Sequence, residues 1–195
     1  MCSEESSGQA PHFQQRRTVL KGAVGVVSMP LIDVAAAAEP KAMRPQAGDL
    51  LIHAYGDRKG EIISAADLEL DGPQQLAWAM DPQTKTVRDG SRLSQVLLIR
   101  LKPEELSPET RTDSADGVVA YSSVCTHQGC DVSQWKAENK MLLCVCHRSE
   151  FDPKDKAAVT SGPAPRRLPM LPVKVIDGKL QVAGGFRGKP GFKDM

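Results

Sequence analysis

No dense block of lysine or arginine occurs anywhere in the chain. Its 25 basic residues are spread along 195 positions against 24 acidic ones, for a formal charge of +1. A sequence-independent grip on nucleic-acid phosphates needs clustered cations, so nucleic acid drops out as a partner. Long hydrophobic runs are also missing. A spanning helix needs about 20 apolar residues, whereas the most apolar stretch, residues 22–32, is bracketed by Lys21 and Asp33 and interrupted by Pro30. There is no internal repeat and no sustained heptad. What remains is a chain long enough, at 41% hydrophobic content, for one domain with a proper core plus a leader or tail. Of five cysteines, four fall between positions 125 and 146 and the fifth, Cys2, stands alone.

A cysteine cluster means different things in reducing and oxidising compartments, and the start of the chain bears on which applies. Residues 14–38 read QQRRTVLKGAVGVVSMPLIDVAAAA: an arginine pair, an apolar stretch, then an alanine run with small-x-small cleavage choices. Arg16 and Arg17 followed by Thr18, Val19, Leu20 and Lys21 resemble a twin-arginine export signal, although Gln15 and Val19 stand where Ser or Thr and Phe are usual. Residues 1–38 are therefore expected to be an export leader, cleaved near Ala37 or Ala38, which would place the protein in the periplasm and remove Cys2. An uncleaved leader would instead anchor it to the inner membrane. The twin-arginine route carries folded proteins, often with a cofactor in place.

Residues 39–48 turn to proline, charge and glycine and are expected to be a linker. Strand-length apolar or alternating runs follow at 49–55, 75–80, 95–101, 117–123, 140–145, 171–176 and 179–183. Turn signals such as Asp89-Gly90, Asp116-Gly117 and Asp177-Gly178 separate them, the last close enough for a two-residue hairpin. The sequence thus predicts an antiparallel all-β domain. Residues 102–116 read as an exposed loop with at most a helical turn, and the end, from residue 186, as an extended tail open to docking on the domain or on a partner. His53, alone in a strand, is expected to be a hydrogen-bonded structural residue without a chemical role.

The chemistry sits in CTHQGC, with Cys125, His127 and Cys130, and in CVCH, with Cys144, Cys146 and His147. The residues between His127 and Cys144 suffice for a hairpin that brings the two segments side by side. Three arrangements are open. A tetrahedral zinc site could use Cys125, His127, Cys144 and His147, leaving two cysteines over. Disulfides alone would leave the two histidines unexplained. A [2Fe-2S] cluster with two cysteines on one iron and two histidines on the other would leave two cysteines for a disulfide.

The two segments, followed by Ser149, closely resemble the Rieske proteins, whose pattern is Cys-Thr-His-x-Gly-Cys and then Cys-Pro-Cys-His-x-Ser. GPAPRRL, residues 162–168, is similar to the proline-rich loop that covers the cluster in the high-potential branch of that family; its prolines, with φ fixed, would make a stiff cover. The resemblance covers residues 49–185 and implies the Rieske fold, an antiparallel β base with an inserted cluster-binding subdomain at about 122–168 and a tail at 186–195. It implies one [2Fe-2S] cluster, with Cys125 and Cys144 on one iron, His127 and His147 on the other, and a Cys130–Cys146 disulfide. It also implies that the Ser149 hydroxyl donates to the cluster.

Neutral imidazoles in place of two thiolates ease electron uptake: Rieske centres lie at roughly −150 to +300 mV against about −400 mV for plant-type ferredoxins. Phe151 stands where the highest-potential quinol-oxidising members carry tyrosine, Val145 where proline is usual and Arg148 where glycine is common. The chain has no room for the catalytic domain of ring-hydroxylating oxygenases, so no substrate site of its own is expected. The resemblance points to an electron-transfer subunit like the small subunit of arsenite oxidase, taking electrons from a molybdenum-containing large subunit and passing them to a cytochrome or cupredoxin. A Rieske subunit of a cytochrome bc-type quinol oxidase is the alternative, and a structural zinc-binding module the alternative of another class.

Overall fold

The computed structural model describes residues 39–192; the expected export leader, residues 1–38 with Cys2 and the arginine pair, lies outside them. Among these residues, no helix is long and apolar enough to cross a membrane. Two antiparallel sheets make up the architecture. The larger contains β1 (Leu50–His53), β2 (Gln75–Met80), β3 (Val96–Arg100), β4 (Val118–Ser122), β9 (Val173–Ile176) and β10 (Lys179–Val182), in the order β4-β3-β2-β1-β10-β9. Between β4 and β9 the chain leaves this sheet and builds a four-stranded one from β5 (Val132–Lys136), β6 (Met141–Cys144), β7 (Ser149–Asp152) and β8 (Ala158–Ser161), paired in sequence order.

The central strands read as unbroken apolar runs because both of their faces are covered. Successive strand side chains point to opposite faces. In β3, Leu97 and Ile99 join one core with Tyr121, Leu142, Phe151 and Leu168. Val96 and Leu98 join a second core with Leu51, Ala77, Ala120 and Leu180. The first core therefore glues the small sheet onto the large one. Polar contacts reinforce that junction: Lys140 pairs with Asp71 at 2.9 Å and Glu105 at 2.8 Å, and the Trp135 indole donates to the Asp71 carbonyl at 3.2 Å.

Three expectations change. Residues 39–48 are strapped to the large sheet rather than free, because Arg88, buried against the Asp49 carboxylate, also donates to the Pro40 carbonyl, and Gly90 N–H donates to the Lys41 carbonyl. Residues 102–116 contain the short helix α1 (Pro108–Thr112) and pack inward through Leu106 and Thr110, whose hydroxyl accepts the Lys156 N–H at 2.8 Å. Leu106 and one small polar side chain suffice to dock a segment whose composition reads as solvated. His53 is buried, yet its Nε2 has no hydrogen-bond partner. The tail, for its part, returns to the domain: Arg187 N–H donates to the Met170 carbonyl at 2.7 Å, and Arg166 donates to the Gly191 carbonyl at 2.5 Å.

Candidate metal centre

Both cysteine-histidine segments are tight loops at one end of the small sheet. The first spans Cys125 to Cys130 and leads into β5; the second is the hairpin connection between β6 and β7. They close in the same way. Gly129 N–H donates to the Cys125 carbonyl at 3.1 Å, and Arg148 N–H donates to the Cys144 carbonyl at 2.9 Å. In each loop the fourth residue after the leading cysteine has positive φ, 77° at Gly129 and 59° at Arg148. That backbone is free for glycine and costs an L-residue with a side chain about 1 kcal/mol. Glycine at this position thus has a local conformational reason, and Arg148 departs from it at some cost, with its side chain exposed.

The β5–β6 pairing, which sets Val132 opposite Cys144, brings the loops together. Cys130 and Cys146 are joined as a disulfide with Cα atoms 6.5 Å apart. Cys125 and Cys144 are free and buried. Burial pushes the Cys125 thiol up to about 11, and the neighbouring Cys144 thiol adds to this, while the His127 N–H and the Ser149 hydroxyl pull the other way. The His127 and His147 rings meet edge to face, their centroids 4.6 Å apart. His127 is half-buried, with a buried Nδ1 that has no hydrogen-bond partner, whereas His147 is exposed.

Cys144 also lies close to the disulfide, the three sulfurs within 4.8 Å of one another. Two of the three are already bonded together, so they offer no thiolates, and this triplet does not make a metal site. The two loops leave two free thiols and two imidazoles as donors. This set suits a borderline-soft metal or an iron–sulfur centre, and the orphaned His127 Nδ1 is a nitrogen placed for a ligand and left with no other role.

The proline loop is bonded to both of these loops. Ser149 Oγ, at the end of the second, accepts the Ala164 N–H at 3.1 Å. Thr126, in the first, donates to the Arg166 carbonyl at 2.5 Å. Gly162 permits the approach: a Cβ there would stand 2.5 Å from Ser149 Cα and 2.7 Å from the Arg148 carbonyl oxygen, and its φ is 85°. On the opposite side, Arg92 of the large-sheet module donates to the Gly129 carbonyl at 3.1 Å and pairs with Asp131 at 2.6 Å. That pair is exposed, so its contribution is positional more than energetic. Phe151 is fully buried beside the free cysteines in the first core, and Val145 is 47% exposed next to the disulfide. Thr126 is visible in the sequence only as a motif letter, Ala164 and Arg166 only as letters of the proline loop whose backbone groups make the contacts, and Arg92 comes from a distant segment.

Residues 78–172 match the family described as the Rieske [2Fe-2S] domain. Over 93 residues the chain is 41% identical to the Rieske iron-sulfur subunit of the cytochrome bc1 complex of Streptomyces lividans, covering 47% of this chain and 55% of that protein. Over 106 residues it is 42% identical to a candidate Rieske subunit of a respiratory nitrate reductase from Haloferax mediterranei, covering 53% of this chain and 47% of that one. The chain thus spans about half the length of these curated relatives. The soluble domain of Rieske protein II from Sulfolobus acidocaldarius aligns at 21% identity with a TM-score of 0.40, over 52% of this chain and 66% of that one. Residues 78–172 are a Rieske [2Fe-2S] domain, and the two free thiols and two imidazoles all lie within it.

Proposed function

We propose that the chain is an exported electron carrier in which Cys125 and Cys144 bind one iron and His127 and His147 bind the other. When bound, the cluster supplies one-electron transfer at comparatively high potential. The observation that carries the reading is that two adjoining loops each bear one buried free thiol and one imidazole, the two imidazoles in contact. The chain's own residues do the rest. The Cys130–Cys146 bridge fixes the loops relative to each other, and the loop from Gly162 to Leu168 limits water access, one lever on potential. Exposed His147 marks the face at which a partner comes within electron-transfer reach.

The finer reading is a periplasmic small subunit resembling that of arsenite oxidase, relaying electrons from a molybdenum-containing large subunit to a cytochrome or cupredoxin. It is supported by the resemblance of residues 1–38 to an export leader, by Phe151 in place of tyrosine, and by the likeness to a nitrate reductase subunit rather than to bc1 subunits alone. The likeness to the Streptomyces lividans subunit supports the second reading, a cytochrome bc-type quinol oxidase with residues 1–38 retained as an anchor.

Purification of the native complex tests both. Recovery in fixed stoichiometry with a molybdenum-containing subunit, and an amino terminus near residue 38, is the expected result. Recovery with a cytochrome b and an intact leader would move the chain to the quinol-oxidase reading.

A further inference from the structure

Behind the proline loop lies a cleft of about 560 Å³, walled on one side by Pro165, Arg166, Arg167 and Pro169 and on the other by Arg187 and Lys189 of the tail. Four of its lining residues are cations and none is an acid. A second pocket of about 200 Å³ shares Arg167 and Arg187 with it, adding Lys156 and Asp113. The acids nearby are already engaged: Asp113 faces Arg187 at 3.4 Å and Glu109 pairs with Lys156 at 2.9 Å. Among the described residues, no carboxylate lies within salt-bridge distance of Arg166, Arg167 or Lys189. In a chain of net charge +1, this is a local concentration of positive charge, and the chain's fold, rather than its composition, creates it by returning the tail to the loop.

We propose that this cleft docks an acidic, extended segment of the redox partner, an inference that rests on the electron-carrier reading above. Charge complementarity chooses the occupant. The cavity is too large for one inorganic anion, and its two prolines offer apolar surface to a polypeptide. Arginine, planar and weakly hydrated, is favoured where carboxylates are gripped at interfaces. The consequence is local to the site. The wall of the cleft is the loop whose Ala164 N–H and Arg166 carbonyl hold Ser149 and Thr126. A partner held there is held against the cover of the cluster, and complementary charge speeds encounter more than it deepens affinity.

The test uses the cluster-loaded chain, its cluster verified by EPR in every variant, and a fluorescein-labelled hexaglutamate peptide followed by anisotropy. The peptide is expected to bind at low ionic strength and to dissociate as salt is raised. Arg167→Glu with Lys189→Glu is expected to weaken binding roughly tenfold or more, while Lys59→Glu, outside the cleft, leaves it unchanged. Undiminished binding in the double variant, or no binding by the native chain, overturns the proposal. So does displacement by inorganic phosphate beyond that by chloride of equal ionic strength, or tighter binding of an oligothymidylate. An intact EPR signal with no peptide effect fails this inference alone; an absent signal in the native chain fails the electron-carrier reading.

Discussion

The hydroxyl oxygen of Ser149 accepts the backbone N–H of Ala164 at 3.1 Å, so the second cysteine loop and the proline loop meet at one buried atom. With its oxygen occupied as an acceptor, the serine keeps one proton to donate, and the Cys125 thiol lies within its reach. Ser149→Ala should lower the reduction potential by roughly 40 to 60 mV, the one-electron equivalent of a hydrogen bond worth about 1 kcal/mol or slightly more. It should also lower stability by about 1–3 kcal/mol, because the Ala164 N–H is left unpaired. Film voltammetry and thermal unfolding read the two effects, and an unchanged potential with the cluster intact would refute the hydrogen-bond role.

Phe151 is fully buried in the core that contains Cys125 and Cys144. Phe151→Tyr introduces a hydroxyl there, and if it donates to a cluster sulfur the potential should rise by about the same 40 to 60 mV. Crowding should cost no more than about 3 kcal/mol. A potential that stays put or falls would show that the hydroxyl finds another partner.

Cys130→Ser opens a bridge between residues 16 apart in sequence. A closed loop of that size is worth about 3 kcal/mol, or roughly 6 to 12 °C in melting temperature for a domain of this length. The larger effect should be on cluster retention, since the disulfide fixes the loops and supplies no ligand. Full iron occupancy and native thermal stability in this variant would show the bridge to be dispensable.

Gly162→Ala places a methyl 2.5 Å from Ser149 Cα, with φ at 85°. Both the collision and the left-handed backbone act against it, at a cost of about 1–3 kcal/mol for the backbone alone. Displacement of the cover should admit water and shift the potential at unchanged iron content. A variant with native stability and potential would show that the close approach carries no load.

The all-β class and seven of the ten strands are readable from short apolar runs, because β3 and β4 are covered on both faces and show themselves as Val, Leu and Ile in succession. β5, β7 and β8 are harder to see. Val-Ser-Gln-Trp-Lys in β5 has a single buried position, Ser149 and Phe151 alternate in a strand of only four residues, and Ala158–Ser161 is an edge with no buried position. The candidate donors Cys125, His127, Cys144 and His147 are visible as motif letters, since their chemistry is local to two short loops. Invisible are the contacts that use backbone atoms or cross the chain, such as Arg92 to Gly129 and Thr126 to Arg166. Those depend on how the two sheets meet, which no local window of sequence encodes. The tail belongs to the same class, since only the folded chain brings Gly191 to Arg166.

The central claim is that Cys125, Cys144, His127 and His147 hold one cluster between them. Pulsed EPR of the reduced protein, grown with ¹⁵N-labelled histidine and assayed for iron and acid-labile sulfide, tests it most directly. Two irons and two sulfides per chain and coupling to two histidine nitrogens are expected, with one coupling lost, or the whole cluster, in His127→Ala. Stoichiometric zinc without sulfide, or a cluster with no histidine nitrogen coupling, would contradict it.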